Sequence, residues 1–133
     1  MSQQNVELAQ RGIAALNARG VDAVIELCDP EVEWIAVPGF LPDAEDFNGR
    51  EGVRAWFAKV GEALGLIDWQ ALEIIDAGDR LFVALKINAA GRASGIEGEF
   101  LLFQSWTLRD GKLVRLESYL SRDEALEAAG LLE

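Results

Sequence analysis

The feature that most constrains this chain is a change of hydrophobic period near residue 66. Before it, apolar residues recur every three or four positions: Val6, Ala9, Ile13 and Leu16, then Val53, Trp56, Phe57, Val60 and Leu64. That spacing builds one apolar stripe on a helix. After it, the period is two. Four strands are predicted at 67–76, 80–90, 95–108 and 112–120. Turn signals separate them: Ala77-Gly78-Asp79, Ala90-Gly91-Arg92 and Asp110-Gly111. Gly98, inside the third, predicts a bulge or bend. Helices followed by a meander of strands point to an α+β fold with an antiparallel sheet.

Gly20 suits the left-handed end of the first helix. Asp22 is a cap for a short second helix carrying Val24, Leu27 and Cys28, and Asp29-Pro30 stops it. Residues 32–37 read as a strand, and residues 38–49 as a loop holding Phe40, Phe47, Asp43, Glu45 and Asp46. Ser121 with Glu124 forms a capping box for a last helix ending at Gly130. No repeat or linker interrupts the chain, and one domain spanning 1–133 is expected.

Both phases of the central strands are apolar. Leu81, Val83, Leu85 and Ile87 share one face, with Phe82 and Ala84 on the other, and Phe100-Leu101-Leu102-Phe103 repeats the pattern. A sheet with one wet face would alternate polar and apolar. One set of helices covers one face, so a second copy over the other, a homodimer, is expected.

Composition excludes several functions. The formal charge of −11 opposes binding to nucleic acid or anionic membranes. There is no histidine, so Cys–His and Ser–His pairs and imidazole-based zinc sites are excluded. No metal or cofactor is expected. Cys28 is the only cysteine and reads as a small buried hydrophobe. The polar start and the absence of a long apolar run predict a soluble, cytoplasmic protein.

Several segments carry a family resemblance. Ile13-Ala14-Ala15-Leu16-Asn17-Ala18 resembles the opening helix of ketosteroid isomerases. Val32-Glu33-Trp34, Asn48-Gly49-Arg50-Glu51-Gly52-Val53 and Trp106-Thr107-Leu108-Arg109-Asp110-Gly111-Lys112 resemble SnoaL-like proteins of the same nuclear-transport-factor-two-like superfamily. The likeness runs from about Asn5 to Gly130. It implies a conical, cystatin-like roll: N-terminal helices packed on a strongly curved, mainly antiparallel sheet that encloses a pocket. By this resemblance the isomerase's general base falls on Ala36, its phenol donor on Gly12 and its protonated acid on Gln104. Alanine and glycine cannot move a proton or hold a dienolate oxygen, so that reaction is not expected. The Arg-x-Asp pair and the last-strand Asp of limonene epoxide hydrolases fall on Lys86, Asn88 and Ser118. Neither carboxylate is kept, which speaks against activating water for epoxide opening.

Even-numbered side chains from Phe82 to Leu120 are expected to converge on the pocket. The candidate ligand contacts are Trp34, Phe57, Lys86, Asn88, Gln104, Trp106 and Ser118. Two alternatives stay open for Lys86: the resemblance places it in the pocket, where it could bind an acidic group or act as base or nucleophile, and the strand pattern places it in water. Gln104 lies among apolar neighbours, and its amide needs a ligand, Asn88 or a neighbouring strand. The aromatics line a pocket or fill a core. Asp43, Glu45 and Asp46 are a solvated loop or supply a base at the pocket mouth. Arg115 and Glu117 read as a charged pair on the outer face. The expected function is binding of a small hydrophobic molecule bearing a polar or acidic group. The alternatives are a SnoaL-like cyclase, isomerase or hydrolase acting on a hydrophobic metabolite, and a non-enzymatic protein-interaction module.

Overall fold

A computed structural model describes residues 2–36, 47–91 and 93–131. The elements run α1 (Ser2–Arg19), α2 (Val21–Leu27), β1 (Cys28–Ile35), β2 (Phe47–Asn48), α3 (Gly49–Ala63), β3 (Leu64–Asp76), β4 (Arg80–Gly91), β5 (Glu97–Arg109), β6 (Lys112–Tyr119) and α4 (Arg122–Ala128). The strands form a sheet in the order β2-β1-β6-β5-β4-β3. The meander β3 to β6 is antiparallel throughout, and β6 closes against β1 in parallel. With α1, α2 and α3 on its concave side, this is the curved α+β roll that the resemblance implied.

Several boundaries differ from expectation. Cys28 opens β1 and does not sit on α2, because the helix ends at Leu27. The β1–β6 register shifts between Cys28 and Glu33, where Pro30 has no N–H to give a ladder. Phe47, expected in a loop, is buried in the short strand β2, and Leu64 begins β3. No shift occurs at Gly98, which pairs with Ala89 in continuous register. Register shifts lie instead in β3, at Gly65/Asp68 and at Ala71/Glu73, where Leu72 is left half exposed, and between β5 and β6 at Thr107/Leu108.

Residues directly opposite in neighbouring strands share a face. Leu85 opposes Leu102, Val83 opposes Gln104 and Leu81 opposes Trp106, so odd positions of β4 meet even positions of β5. Across β5–β6 the pairing starts with Leu108 opposite Leu113, and a register shift after it brings like parity together, with Trp106 opposite Leu116 and Gln104 opposite Ser118. Trp34 of β1 then opposes Leu116. These residues form the main core with the three helices. The expected convergence of even-numbered residues therefore holds for β5 and for Leu116 and Ser118, and is wrong for β4. Leu120 is exposed.

The other face has its own cover. Ala125 and Ala129 of α4 pack on Phe82 and Ala84, flanked by Phe103 and Tyr119. Ser121 caps the helix by accepting from the Glu124 N–H at 3.4 Å. Gly130, at φ 81°, ends it, with the Leu131 N–H donating to the Leu126 carbonyl at 2.9 Å. The Arg122 guanidinium lies 4.9 Å above the Phe82 ring and pairs with Glu73. Part of the apolar second face is thus buried within the chain, where a partner subunit was expected to do all the covering.

Among the described strands the sheet has two edges, the two-residue β2 and the long β3. The Asn17 side chain of α1 covers β3 at one point, accepting from the Trp69 N–H at 2.9 Å and donating to the Trp69 carbonyl at 2.6 Å. It stands in for one residue of a missing strand. Asn17→Ala is expected to destabilise the fold by about 1–3 kcal/mol, as for part-buried backbone groups left unpaired. Urea unfolding at unchanged m-value is the check.

Cys28 is fully buried, and Arg50 donates to its carbonyl from Nε at 3.0 Å and Nη2 at 2.8 Å. Burial pushes the thiol up to about 11, opposed by Arg50 and Lys112. A thiol raised above its unfolded value of 9.0 leaves stability intact below pH 9 and removes it as the pH rises towards 11. Tyr119, raised to about 12 by burial and its bond to Glu117, adds a loss starting higher, above its ordinary 10.0. We expect Cys28→Ala to flatten the fall in unfolding free energy between pH 9 and pH 11, removing roughly 2 kcal/mol of it. An unchanged alkaline slope in the variant would contradict this.

Candidate functional site

Between the helices and the concave sheet lies a cavity of about 50 Å³. Its walls come from almost every element. Helix α1 gives Leu8, Gly12, Ile13 and Leu16; α2 gives Val24 and Leu27; α3 gives Trp56 and Phe57. The sheet gives Trp34, Trp69, Leu85, Gln104, Trp106, Leu108, Leu113 and Leu116. Alternation on the strands and the three-four spacing on the helices aim these side chains inward. Gly12 lets α1 approach α2 closely: a Cβ there would stand 2.7 Å from Leu27 Cδ1. The position that corresponds to a phenol in ketosteroid isomerases is thus filled from the neighbouring helix.

The aromatic wall is continuous. Trp34 lies 5.5 Å from Trp56 and 5.7 Å from Phe57, ring centre to ring centre, and Trp69 is 5.8 Å from Phe57. Tilted and edge-on rings of this kind attract through opposed quadrupoles. Among the described lining residues, Gln104 alone has a side chain that both donates and accepts hydrogen bonds, and none is titratable. Gln104 Oε1 accepts from the Trp106 indole at 2.8 Å, and its Nε2 donates to Ser118 Oγ at 3.2 Å. These three side chains are held in fixed rotamers by bonds inside a dry core. The indole N–H groups of Trp34 and Trp56 are buried without a hydrogen-bond partner among the described residues.

Of the sequence candidates, Trp34, Phe57, Gln104 and Trp106 line the cavity, and Ser118 stands behind Gln104 as its partner. Lys86 and Asn88 do not. They share the outer face with Phe82 and Ala84, opposite Leu101 and Glu99 of β5. Lys86 Nζ is 3.5 Å from a Glu99 carboxylate oxygen. The physical cause is the period of two: a one-residue offset in the aligned register of β4 moves every side chain to the other face. On β4 it is Leu85 that reaches the cavity. Ala36 is buried in the core outside the cavity wall. Asp43, Glu45 and Asp46 lie outside the described residues. Trp56 and Trp69 line the cavity and were not named as contacts. Trp56 was visible as the centre of the strongest helical stripe, and Trp69 had no signal beyond its aromatic bulk.

Comparison with known proteins agrees with this architecture. TerC co-crystallised with polyporic acid superposes with a TM-score of 0.78 at 25% identity, over 96% of this chain and 98% of that one. Bal32a, from a soil-derived mobile gene cassette, gives a TM-score of 0.77 at 25% identity over 89% of each chain. A protein of ketosteroid isomerase-like fold from Catenulispora acidiphila DSM 44928, in complex with trimethylamine, gives 0.74 at 15% identity over 94% of this chain and 93% of that one. No curated protein matches the chain. The family model of the SnoaL-like domain matches residues 9–116, across helices, cavity and sheet, and this chain belongs to the SnoaL-like domain family.

Proposed function

We propose that this chain, as a single SnoaL-like domain, binds a small hydrophobic molecule in the cavity beneath α1, α2 and α3. The observation that carries the proposal is the wall itself: apolar and aromatic, with the Gln104 amide as a fixed polar group and no titratable side chain among the described lining residues. Small-molecule sites are commonly built this way, with few polar groups setting orientation. The structural neighbours with polyporic acid and with trimethylamine support a small-molecule role. A cyclase, isomerase or hydrolase would require a proton acceptor facing the cavity. Lys86 faces outward beside Glu99, Asp43, Glu45 and Asp46 lie outside the described residues, and no described lining residue carries a carboxylate or amine. Binding is therefore the better-supported function.

At about 50 Å³ the cavity is smaller than the roughly 300–1,000 Å³ of drug-sized ligand sites. The bound form must be wider, and the helix side of the wall, where Leu8, Leu16, Val24, Leu27 and Phe57 are only half-buried, is the side with room to move. This narrowness is the one observation favouring a protein-interaction module. The neutral dye N-phenyl-1-naphthylamine separates the two. Binding is expected to raise its fluorescence and the protein's Tm, since a ligand of the native state stabilises it by mass action. Leu27→Trp, which fills the cavity, should weaken binding about tenfold or more, a loss on the scale of one buried apolar contact. Lys86→Met should leave it within about twofold, as expected of a surface side chain. Absence of binding by the unaltered protein would remove the proposal and leave the interaction module.

The outer face supports a second element of the proposal, assembly as a homodimer in the cytoplasm. Helix α4 leaves Leu101 52% exposed on that face, beside Lys86 and Glu99. A second copy related by a two-fold axis would bury it. Light scattering should give twice the chain mass of 14.5 kDa, and Leu101→Glu should shift it towards the monomer. A monomeric mass for the unaltered protein at high concentration would end this proposal.

A further inference from the structure

We propose that the ligand carries a carbonyl oxygen, and that this oxygen takes the indole N–H groups of Trp34 and Trp56. The inference rests on the cavity binding a small molecule and specifies that molecule's chemistry.

Trp34 is 3% exposed and Trp56 is 2% exposed, and both belong to the cavity wall. An indole nitrogen only donates. Buried without an acceptor, each N–H forfeits the hydrogen bond it would make to water, and native cores rarely leave such groups unmatched. Trp106 shows the contrast within the same wall, since its N–H is matched by Gln104 Oε1 at 2.8 Å. That bond and the one to Ser118 hold Gln104 in place beside Trp106. Trp34 and Trp56, whose donors are unmatched among the described residues, are neighbours, with ring centres 5.5 Å apart.

Neither nitrogen is reached from the cavity at its present size, because both atoms are buried against the surrounding side chains. The widening that a ligand requires would also expose these donors, so two costs of the closed form are relieved in one step. The chemistry of the entering group follows from the wall. Two donors with no carboxylate among the described lining residues give a protonated amine neither an acceptor nor a counter-charge. A carboxylate would enter a protein of charge −11 with no lysine or arginine among those same residues. A carbonyl oxygen accepts two hydrogen bonds and brings no charge to desolvate. An aromatic ketone or quinone meets both the donors and the aromatic wall.

The test uses indane and 1-indanone, which share a ring system and differ by the carbonyl. Calorimetry should give 1-indanone at least about tenfold tighter binding, as sites with buried donors reject analogues lacking the acceptor. Replacing Trp34 and Trp56 by 3-benzothienyl-alanine keeps the ring shape and removes both N–H groups. That replacement should reduce the preference to within about twofold, as no donor remains to discriminate. The infrared carbonyl band of bound 1-indanone should move to lower frequency in the unaltered protein, a readout that needs no variant. Equal affinity for the two compounds, an unshifted carbonyl band, or a preference that survives loss of both N–H groups would overturn the carbonyl assignment. Any of these outcomes, with N-phenyl-1-naphthylamine still bound, leaves the pocket standing. If that dye and both bicyclic compounds fail to bind, the pocket itself is lost, and the carbonyl with it.

Discussion

A pleated strand sends successive side chains to opposite faces, and the hydrogen-bonded register of β4 against β5 decides what those faces contain. Leu85 opposite Leu102 and Val83 opposite Gln104 place five apolar residues of β4, from Leu81 to Ala89, towards the helices. The same register sends Phe82 and Ala84 to α4, and Lys86 and Asn88 to the surface. Cavity, second hydrophobic cluster and outer charges all inherit this one alignment. Slipping it by a residue would bury Lys86 under the helices and strand Leu85 in solvent.

The resulting division of chemistry is sharp. At the cavity wall, among the described residues, side-chain hydrogen bonds link Trp106, Gln104 and Ser118, and the indole donors of Trp34 and Trp56 stay unmatched. Outside, charges pair along the strands. Arg115 meets both Glu33 of β1 and Glu117, and Tyr119 donates to Glu117 at 2.9 Å. Exposed pairs of this kind add little stability each. Their placement matters more, because Arg115 links β6 to β1 across the parallel joint of the sheet.

The order of elements was legible because it rests on local signals. The change of period, the turns at Gly78 and Gly111 and the Ser121 cap each act over a few residues and are found where they were expected, while Gly91 belongs to β4 and the turn follows it. Gln104 was also legible, as an amide set between Leu102 and Trp106 on one strand face. What failed was the transfer of face identity from one strand to the next. Residue parity inverts at both turns, with Arg109 opposite Lys112 and Leu108 opposite Leu113, and an extra residue in β6 between Leu113 and Arg115 then restores it, so that Trp106 meets Leu116; neither step shows in composition. The strand pattern held the correct clue for β4: its odd phase is apolar from Leu81 to Ala89, and its even phase turns polar at Lys86. The Asn17 contact was invisible for a different reason, since Asn17 and Trp69 are far apart in sequence and meet only once α1 lies along the β3 edge.

The parallel joint also governs the order in which the molecule can be assembled. β1 is made early and its main partner, β6, comes last, with Glu33 and Arg115 lying 82 residues apart. Throughout synthesis β1 holds buried positions such as Val32 and Trp34 with β2 alone as a neighbouring strand. Contacts of such long range are slow to form, and exposed strands are open to wrong pairing while they wait. The emergence of β6 from the ribosome is thus the step that closes the sheet, and a chain lacking β6 loses part of its interior wall and the strand that pairs with β1.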